Sequence, residues 1–210
     1  PESFIHNVPH ISFVWGDKNT SFLKKRHEAM IKHPFFAAME YSEDKDVIAK
    51  WIPVVMKGRD PAQKIAATRM MAGVDVNFEA LTKGLLSDLE QGPNFNIHFN
   101  QEVADLIKND DQTWTVVVKD GDKKIRIKSK FVFVGGGGAA LTLLQRSGIE
   151  EGKGFGGFPV GGAWLVTKNQ ELIESHNAKV YGQASVGSPP MSVPHLDTRY
   201  INGKRSLLFG

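Results

Sequence analysis

Four consecutive glycines, Gly135, Gly136, Gly137 and Gly138, stand between a β-branched and aromatic run, Phe131 to Val134, and an apolar segment of helical character, Ala139 to Leu144. That order predicts a strand, a tight turn and a helix. Glycine lets a backbone come close to a bulky ligand, and the first amides of a following helix attract negative charge. The chemistry indicated is the holding of a phosphate-bearing cofactor. Gly135, Gly137 and Ala140 satisfy G-x-G-x-x-G/A, but a primary dinucleotide fingerprint continues into a second strand ending in an acidic residue about twenty positions on. Here the glycine-rich stretch Gly152 to Gly162 intervenes. The run therefore reads as a secondary cofactor contact, with a close-packing turn as the structural alternative.

A second constellation lies in Ser188-Pro-Pro-Met-Ser-Val-Pro-His-Leu-Asp-Thr-Arg199. Proline stiffens this segment and can hold His195, Asp197, Thr198 and Arg199 in place. Imidazoles as a class take up and return protons near neutral pH, which makes His195 the candidate base. Arg199, and more remotely Arg69, carry forked donors that suit the carboxylates of a substrate, and Thr198 joins them as a candidate binding residue. Surface ion pairs are the plainer reading of either arginine. His6 and His10 have the four-residue spacing of helical metal ligands, but Pro9 disfavours a helix there and no acidic residue stands beside them, so no metal is expected.

Bulk properties narrow the classes. The 210 residues carry a net charge of +3, with basic and acidic residues interleaved, so no nucleic-acid partner is indicated. Two basic clusters, Lys24-Lys25-Arg26 and Lys123-Lys124 with Arg126, Lys128 and Lys130, fit solvated faces or a weak attraction to anionic lipid. The absence of cysteine excludes disulfides and thiolate metal sites. No apolar run reaches the roughly eighteen residues of a membrane span. Opening at Pro1 and closing on an apolar run at Gly210, the chain is expected to be an excised piece.

The elements that must position these groups follow from periodicity. His10 to Trp15 predicts a strand, Thr20 to Lys32 a helix stopped by Pro34, and Ser42 a cap for a second helix through Val47, Ile48, Trp51 and Val55 that Pro53 should break. Asn77 should cap an amphipathic helix with Phe78, Leu81, Leu85 and Leu89 on one face, ended by Gly92-Pro93. Phe95, Ile97 and Phe99 predict a strand, Trp114 to Val118 and Ile125 to Ile127 a hairpin turning at Asp120-Gly121, and Phe131 to Val134 a returning strand. A boundary falls past Ile149. Beyond it come a strand at Trp164 to Val166, a short helix at Glu171 to Ser175 and a strand at Lys179 to Tyr181.

Gly73-Val-Asp-Val-Asn-Phe-Glu-Ala-Leu81, Glu102-Val103, Phe131 to Gly138, Gly152-Lys-Gly-Phe-Gly-Gly-Phe-Pro159 and Ala184 to Arg199 together resemble the malate:quinone oxidoreductase family, within the amino-acid-oxidase-like flavoenzymes. The resemblance runs nearly end to end, and its last two motifs are the narrow ones. It implies an α/β fold with α+β character, in which residues 73–150 are the middle of a Rossmann-like FAD-binding domain and residues 1–72 and 151–210 belong to a mixed-sheet substrate domain, both incomplete. It further implies oxidation of (S)-malate to oxaloacetate, with electrons passed to membrane quinone by a peripheral protein on the cytoplasmic face of the membrane. Val103 would touch the adenine through its backbone, Gly135 to Gly138 would lie near the FAD phosphates, His195 by the flavin ring and Arg199 near the substrate. The family's primary glycine fingerprint does not occur here, so the isolated chain is expected to bind FAD weakly or not at all and to be inactive. A related dehydrogenase of 2-hydroxyglutarate or another 2-hydroxy acid, and a non-catalytic folded module, are the alternatives.

Overall fold

The structure, a computed structural model, describes residues 3–184, 187–188 and 192–210. Residues 185, 186 and 189–191 of the Ala184 to Arg199 motif lie outside the described residues. The chain divides into two compact units, Pro1–Gln91 with Gly162–Gly210, and Gly92–Gly161. This division differs from the expected boundaries after residues 72 and 150, because the helix capped by Asn77 and the glycine-rich stretch to Gly161 each group with the neighbouring segment.

The larger unit is built on a seven-stranded mixed sheet ordered β3 (Glu40–Ser42), β4 (Ile65–Met70), β2 (His10–Trp15), β10 (Lys179–Tyr181), β11 (His195–Ile201), β12 (Lys204–Phe209) and β9 (Leu165–Thr167). Only β2 and β10 run parallel within it. A separate ribbon pairs β1 (Ile5–Asn7) with β5 (Val74–Val76). Gly73, just before β5, is held against Val8 by a backbone hydrogen bond of 2.9 Å, and a Cβ there would meet the Val8 carbonyl oxygen at 2.5 Å. Only glycine fits that approach.

Strand alternation gives the sheet two unlike faces. Ile11 and Phe13 of β2, Ile65 and Ala67 of β4 and Val180 of β10 point to one side, where they bury Ile48 and Ile52. Those isoleucines come from α2 (Lys45–Trp51) and the residue following it; Pro53 ends α2 and opens the short α3 (Pro53–Met56). Proline can begin a helix but cannot continue one. The cap of α2 is Asp44, whose Oδ1 accepts from the amides of Asp46 and Val47, rather than Ser42, whose hydroxyl accepts from Asp44 itself. On the opposite face α1 (Asp17–Met30) packs through Thr20 and Leu23. Farther along, α4 (Phe78–Leu89) follows Asn77, whose side chain accepts from Ala80 at 3.1 Å as the sequence predicts. Its Phe78, Leu85 and Leu89 are exposed.

In the smaller unit β6 (Glu102–Lys108), β7 (Trp114–Asp120) and β8 (Lys123–Ser129) form an antiparallel meander, with Gly121 at a φ of 58° in the last turn. Two expectations fail here. Neither Phe95 to Phe99 nor Phe131 to Val134 joins a ladder among the described residues, since a strand needs a partner that alternation alone does not supply. Alternation of exposure nevertheless persists in the second segment: Phe131 and Phe133 are exposed while Val132 and Val134 are half-buried. The missed element is β6, whose pattern is interrupted by a register shift between Val103 and Asp105. A bulge of this kind breaks the two-residue period that marks a strand in sequence. Two further α-helices are α5 (Ala140–Arg146), entered through a 3-10 turn at Gly137–Ala139, and, in the larger unit, α6 (Gln170–Ser175).

Candidate functional site

His195 opens strand β11 rather than sitting in a loop, and the alternation of β11 separates the four candidates of that segment. His195, Asp197 and Arg199 share one face of the sheet. Thr198 points to the other, is buried, and donates its hydroxyl to the His176 carbonyl at 3.0 Å. Across the ladder His195 faces Tyr181 and Asp197 faces Lys179, so the polar side chains of β10 and β11 gather on the same side.

The His195 ring is stacked on Tyr181, with centroids 5.3 Å apart, and meets Trp164 edge-on at 4.3 Å. Its Nδ1 lies 3.3 Å from Oδ2 of Asp197, a residue only 1% exposed. A carboxylate can only accept, so this contact assigns the proton to Nδ1 and leaves the lone pair on Nε2. The second oxygen, Asp197 Oδ1, is buried and has no hydrogen-bond partner among the described residues. Aromatic packing and the aspartate together hold the ring in one orientation and one tautomer. That is what a proton acceptor requires.

Beside this pair lies a cluster around Asp75. Its Oδ1 accepts from Lys179 Nζ at 2.6 Å and forms an ion pair with Arg199 Nε at 2.9 Å, while Oδ2 accepts from the Tyr200 amide at 2.8 Å. Burial acts to raise the Asp75 carboxyl, but the hydrogen bonds from Lys179 and Tyr200, with the charges of Lys179 and Arg199, outweigh it and hold the group below its ordinary range. Asp75 and Asp197 together balance Lys179 and Arg199, so the cluster presents both signs of charge on one face. Arg199 is more than a third exposed, so it can present its guanidinium to an anionic ligand while Asp75 fixes its stem. His10, directly across from Lys179 on β2, is made less basic by burial and by the lysine charge.

Arg69 is not brought to this site. It sits opposite Ile11 in the ladder, hence on the apolar face, where it forms a bidentate pair with Glu40 at 2.7 and 2.9 Å and lies 4.4 Å from the Trp51 ring. Asp75, Lys179, Tyr181 and Trp164 went unremarked in the sequence. The available signal was a charge inside an apolar strand: Asp75 stands between Val74 and Val76, and Lys179 between Ala178 and Val180.

The candidate cofactor contacts lie in the smaller unit. Gly137 has a φ of 53°, and a Cβ at Gly137 or Gly138 would meet nothing within 4 Å. This open, left-handed turn leads into α5, and Arg146 at the end of α5 donates to the Ala104 carbonyl of β6 at 2.9 Å. That bond ties the helix to the strand carrying Val103, which is itself 37% exposed. An unobstructed glycine turn leaves room for the close approach of a phosphate-bearing group. Among the described residues no cluster of three or more acidic or histidine side chains could hold a metal ion.

The profile described as Malate:quinone oxidoreductase (Mqo) matches residues 1–210. Among curated proteins, "Probable malate:quinone oxidoreductase 1" of Pseudomonas aeruginosa is 58% identical over the whole of this chain, which covers 41% of that protein. "Probable malate:quinone oxidoreductase" of Acinetobacter baumannii is 53% identical, with the chain covering 39% of it. The chain thus spans about two fifths of the length of these relatives. Among solved structures, "Dithionite reduced L-alpha-Glycerophosphate Oxidase from Mycoplasma pneumoniae with FAD bound" shares the mixed α/β fold at a TM-score of 0.65 and 13% identity, over 98% of this chain and 49% of that one. A match along all 210 residues at such identities is decisive for membership: the chain belongs to the malate:quinone oxidoreductase family.

Proposed function

We propose that the whole protein containing this chain is an FAD-dependent dehydrogenase that oxidises (S)-malate to oxaloacetate and passes the electrons to a membrane quinone, as a peripheral protein on the cytoplasmic face of the membrane. The observation that carries the reading is the family match across residues 1–210. The side chains agree with it. Oxidising a secondary alcohol requires a base for the hydroxyl proton, and His195, with Nδ1 turned to Asp197, offers Nε2 for that purpose. A dicarboxylate leaving water requires cations, and Arg199, more than a third exposed beside Asp75, can supply one. Arg199 would pair with a substrate carboxylate through its terminal nitrogens, since the contact with Asp75 engages Nε.

FAD bound to the whole protein would accept the hydride leaving C2 of malate. Toward that group Gly135, Gly136, Gly137 and Gly138 would lie along the phosphates, and the backbone of Val103 would meet the adenine. In this reading residues 73–150 contribute to the FAD-binding domain, and residues 1–72 and 151–210 to the substrate domain.

The direct test uses the full-length enzyme. His195→Ala should slow anaerobic flavin reduction by malate by more than about tenfold, the scale on which loss of a general base is felt. An unchanged rate removes His195 from that role. A panel of malate, 2-hydroxyglutarate and other 2-hydroxy acids decides the substrate, and preferential turnover of any acid but malate overturns the assignment.

A further inference from the structure

A cavity of the seven-stranded unit lies on the same sheet face as His195 and has a volume of about 620 Å³. Its floor is polar, formed by Ser12 and Thr68 from adjacent strands. Met30 from α1, Phe36 and Met39 from the turn after it, and Met70 from β4 make most of the remaining lining apolar, with His10, Arg26 and Gln183 also on it. Tyr181 lines the cavity and stacks on His195, so one aromatic ring separates the cavity from the candidate base. A small dicarboxylate does not fill the apolar part of this lining. A flat apolar ring with two carbonyl oxygens does, because hydroxyl donors on the floor match the carbonyls while thioethers and aromatic rings hold the ring itself.

The mouth of the cavity has its own character. Phe22 is 57% exposed and Phe35 79% exposed, both line the opening, and Lys24, Lys25 and Lys32 stand exposed on and just beyond the same helix. Apolar rings flanked by lysines are the composition of a surface that meets anionic lipid, to which each nearby cation adds attraction. Arg26 lies on the cavity lining between these groups.

We propose that this cavity binds the acceptor quinone, its head group on the Ser12 and Thr68 floor and its isoprenoid tail leaving past Phe22 and Phe35 into the bilayer. The proposal rests on the quinone-reducing function above and gives that function a place. The overall exchange balances: malate gives up the C2 hydride and the hydroxyl proton, together two electrons and two protons, and the quinone takes up two electrons and two protons to become the hydroquinone.

The test uses the full-length holoenzyme and a photoreactive azido-ubiquinone analogue with a short tail. Peptide mapping should find the label within residues 22–39 or 66–73, and excess unmodified quinone should suppress it. Met39→Trp, which fills the cavity, should raise the quinone KM by about tenfold, a typical overpacking cost, while malate still reduces the flavin at the unaltered rate. Phe36→Leu should do the same to a smaller extent without overfilling. Label confined to other segments, or an unchanged quinone KM in a folded Met39→Trp enzyme, overturns the proposal. If Met39→Trp does not fold, the label map of the unaltered enzyme decides alone. Failure of malate to bleach the flavin of the unaltered enzyme would sink the malate function instead, and label in the cavity would then still stand.

Discussion

The two faces of the seven-stranded sheet are made from the same strands and by different rules. On one face, Ile11, Phe13, Ile65, Ala67 and Val180 close over Ile48 and Ile52, and any residue of similar volume could in principle replace another. On the other, Asp75 holds Lys179 and Arg199, and Asp197 holds His195, through bonds that depend on the identity and position of each atom. The apolar face owes its stability to area removed from water. Its opposite gains little net stability from its charges and is costly to break, because removing one partner strands another. Function resides where substitution is least forgiving.

Four measurements probe that contrast, all on the full-length protein. The largest effect is expected for Asp75→Ala, which leaves Lys179 and Arg199 without their anion and should cost about 3–5 kcal/mol in urea unfolding. Ile48→Ala, on the apolar face, should cost about 2–4 kcal/mol and leave the malate KM unaltered. Should Ile48→Ala prove the costlier of the two, the polar face is not the locked network described here. Next come the two arginines: Arg199→Lys should raise the malate KM by about tenfold, whereas Arg69→Lys, on the apolar face with Glu40, should leave it alone. Equal effects of the pair would erase the distinction between the faces.

The smallest effect concerns pH. His176 is fully buried and burial lowers its basicity, so it is neutral in the fold and takes a proton in the unfolded chain below about pH 6.5. Its contribution is therefore present above that pH and declines as the pH falls, by at most about 1.4 kcal/mol per pH unit. His176→Gln should flatten this part of the stability profile. Asp75 acts in the same direction lower down, since a carboxyl held below its ordinary range contributes stability above about pH 4 that is lost as the pH drops through its depressed value.

What could be read from the sequence was whatever depends on near neighbours. Strand β2, the broken helix pair at Pro53, the Asn77 cap and the turn at Gly121 all follow from a handful of adjacent residues. Strand β6 did not, because its bulge erases the alternation, and the β-branched and aromatic run Phe131 to Val134 has no ladder partner among the described residues. The site was legible in half. His195 and Arg199 are visible as polar groups in a proline-stiffened segment, but only the strand they form shows that Thr198 must face away from both. Asp75 and Lys179 lie far apart in the chain, and only the sheet reveals that they touch.

The parallel pairing of β2 with β10 also sets an order of events in synthesis. Strands β2, β3 and β4 can pair as soon as Met70 has been made, but the other edge of β2 waits for Lys179. At about 5–20 residues per second, that edge stays open for roughly 5–20 s while the intervening chain is translated. An unpaired strand carrying Ile11 and Phe13 is a template for another nascent chain. Chaperone dependence of this protein in the cell should therefore arise at the edge of β2, and slowing translation between Met70 and Lys179 should increase aggregation.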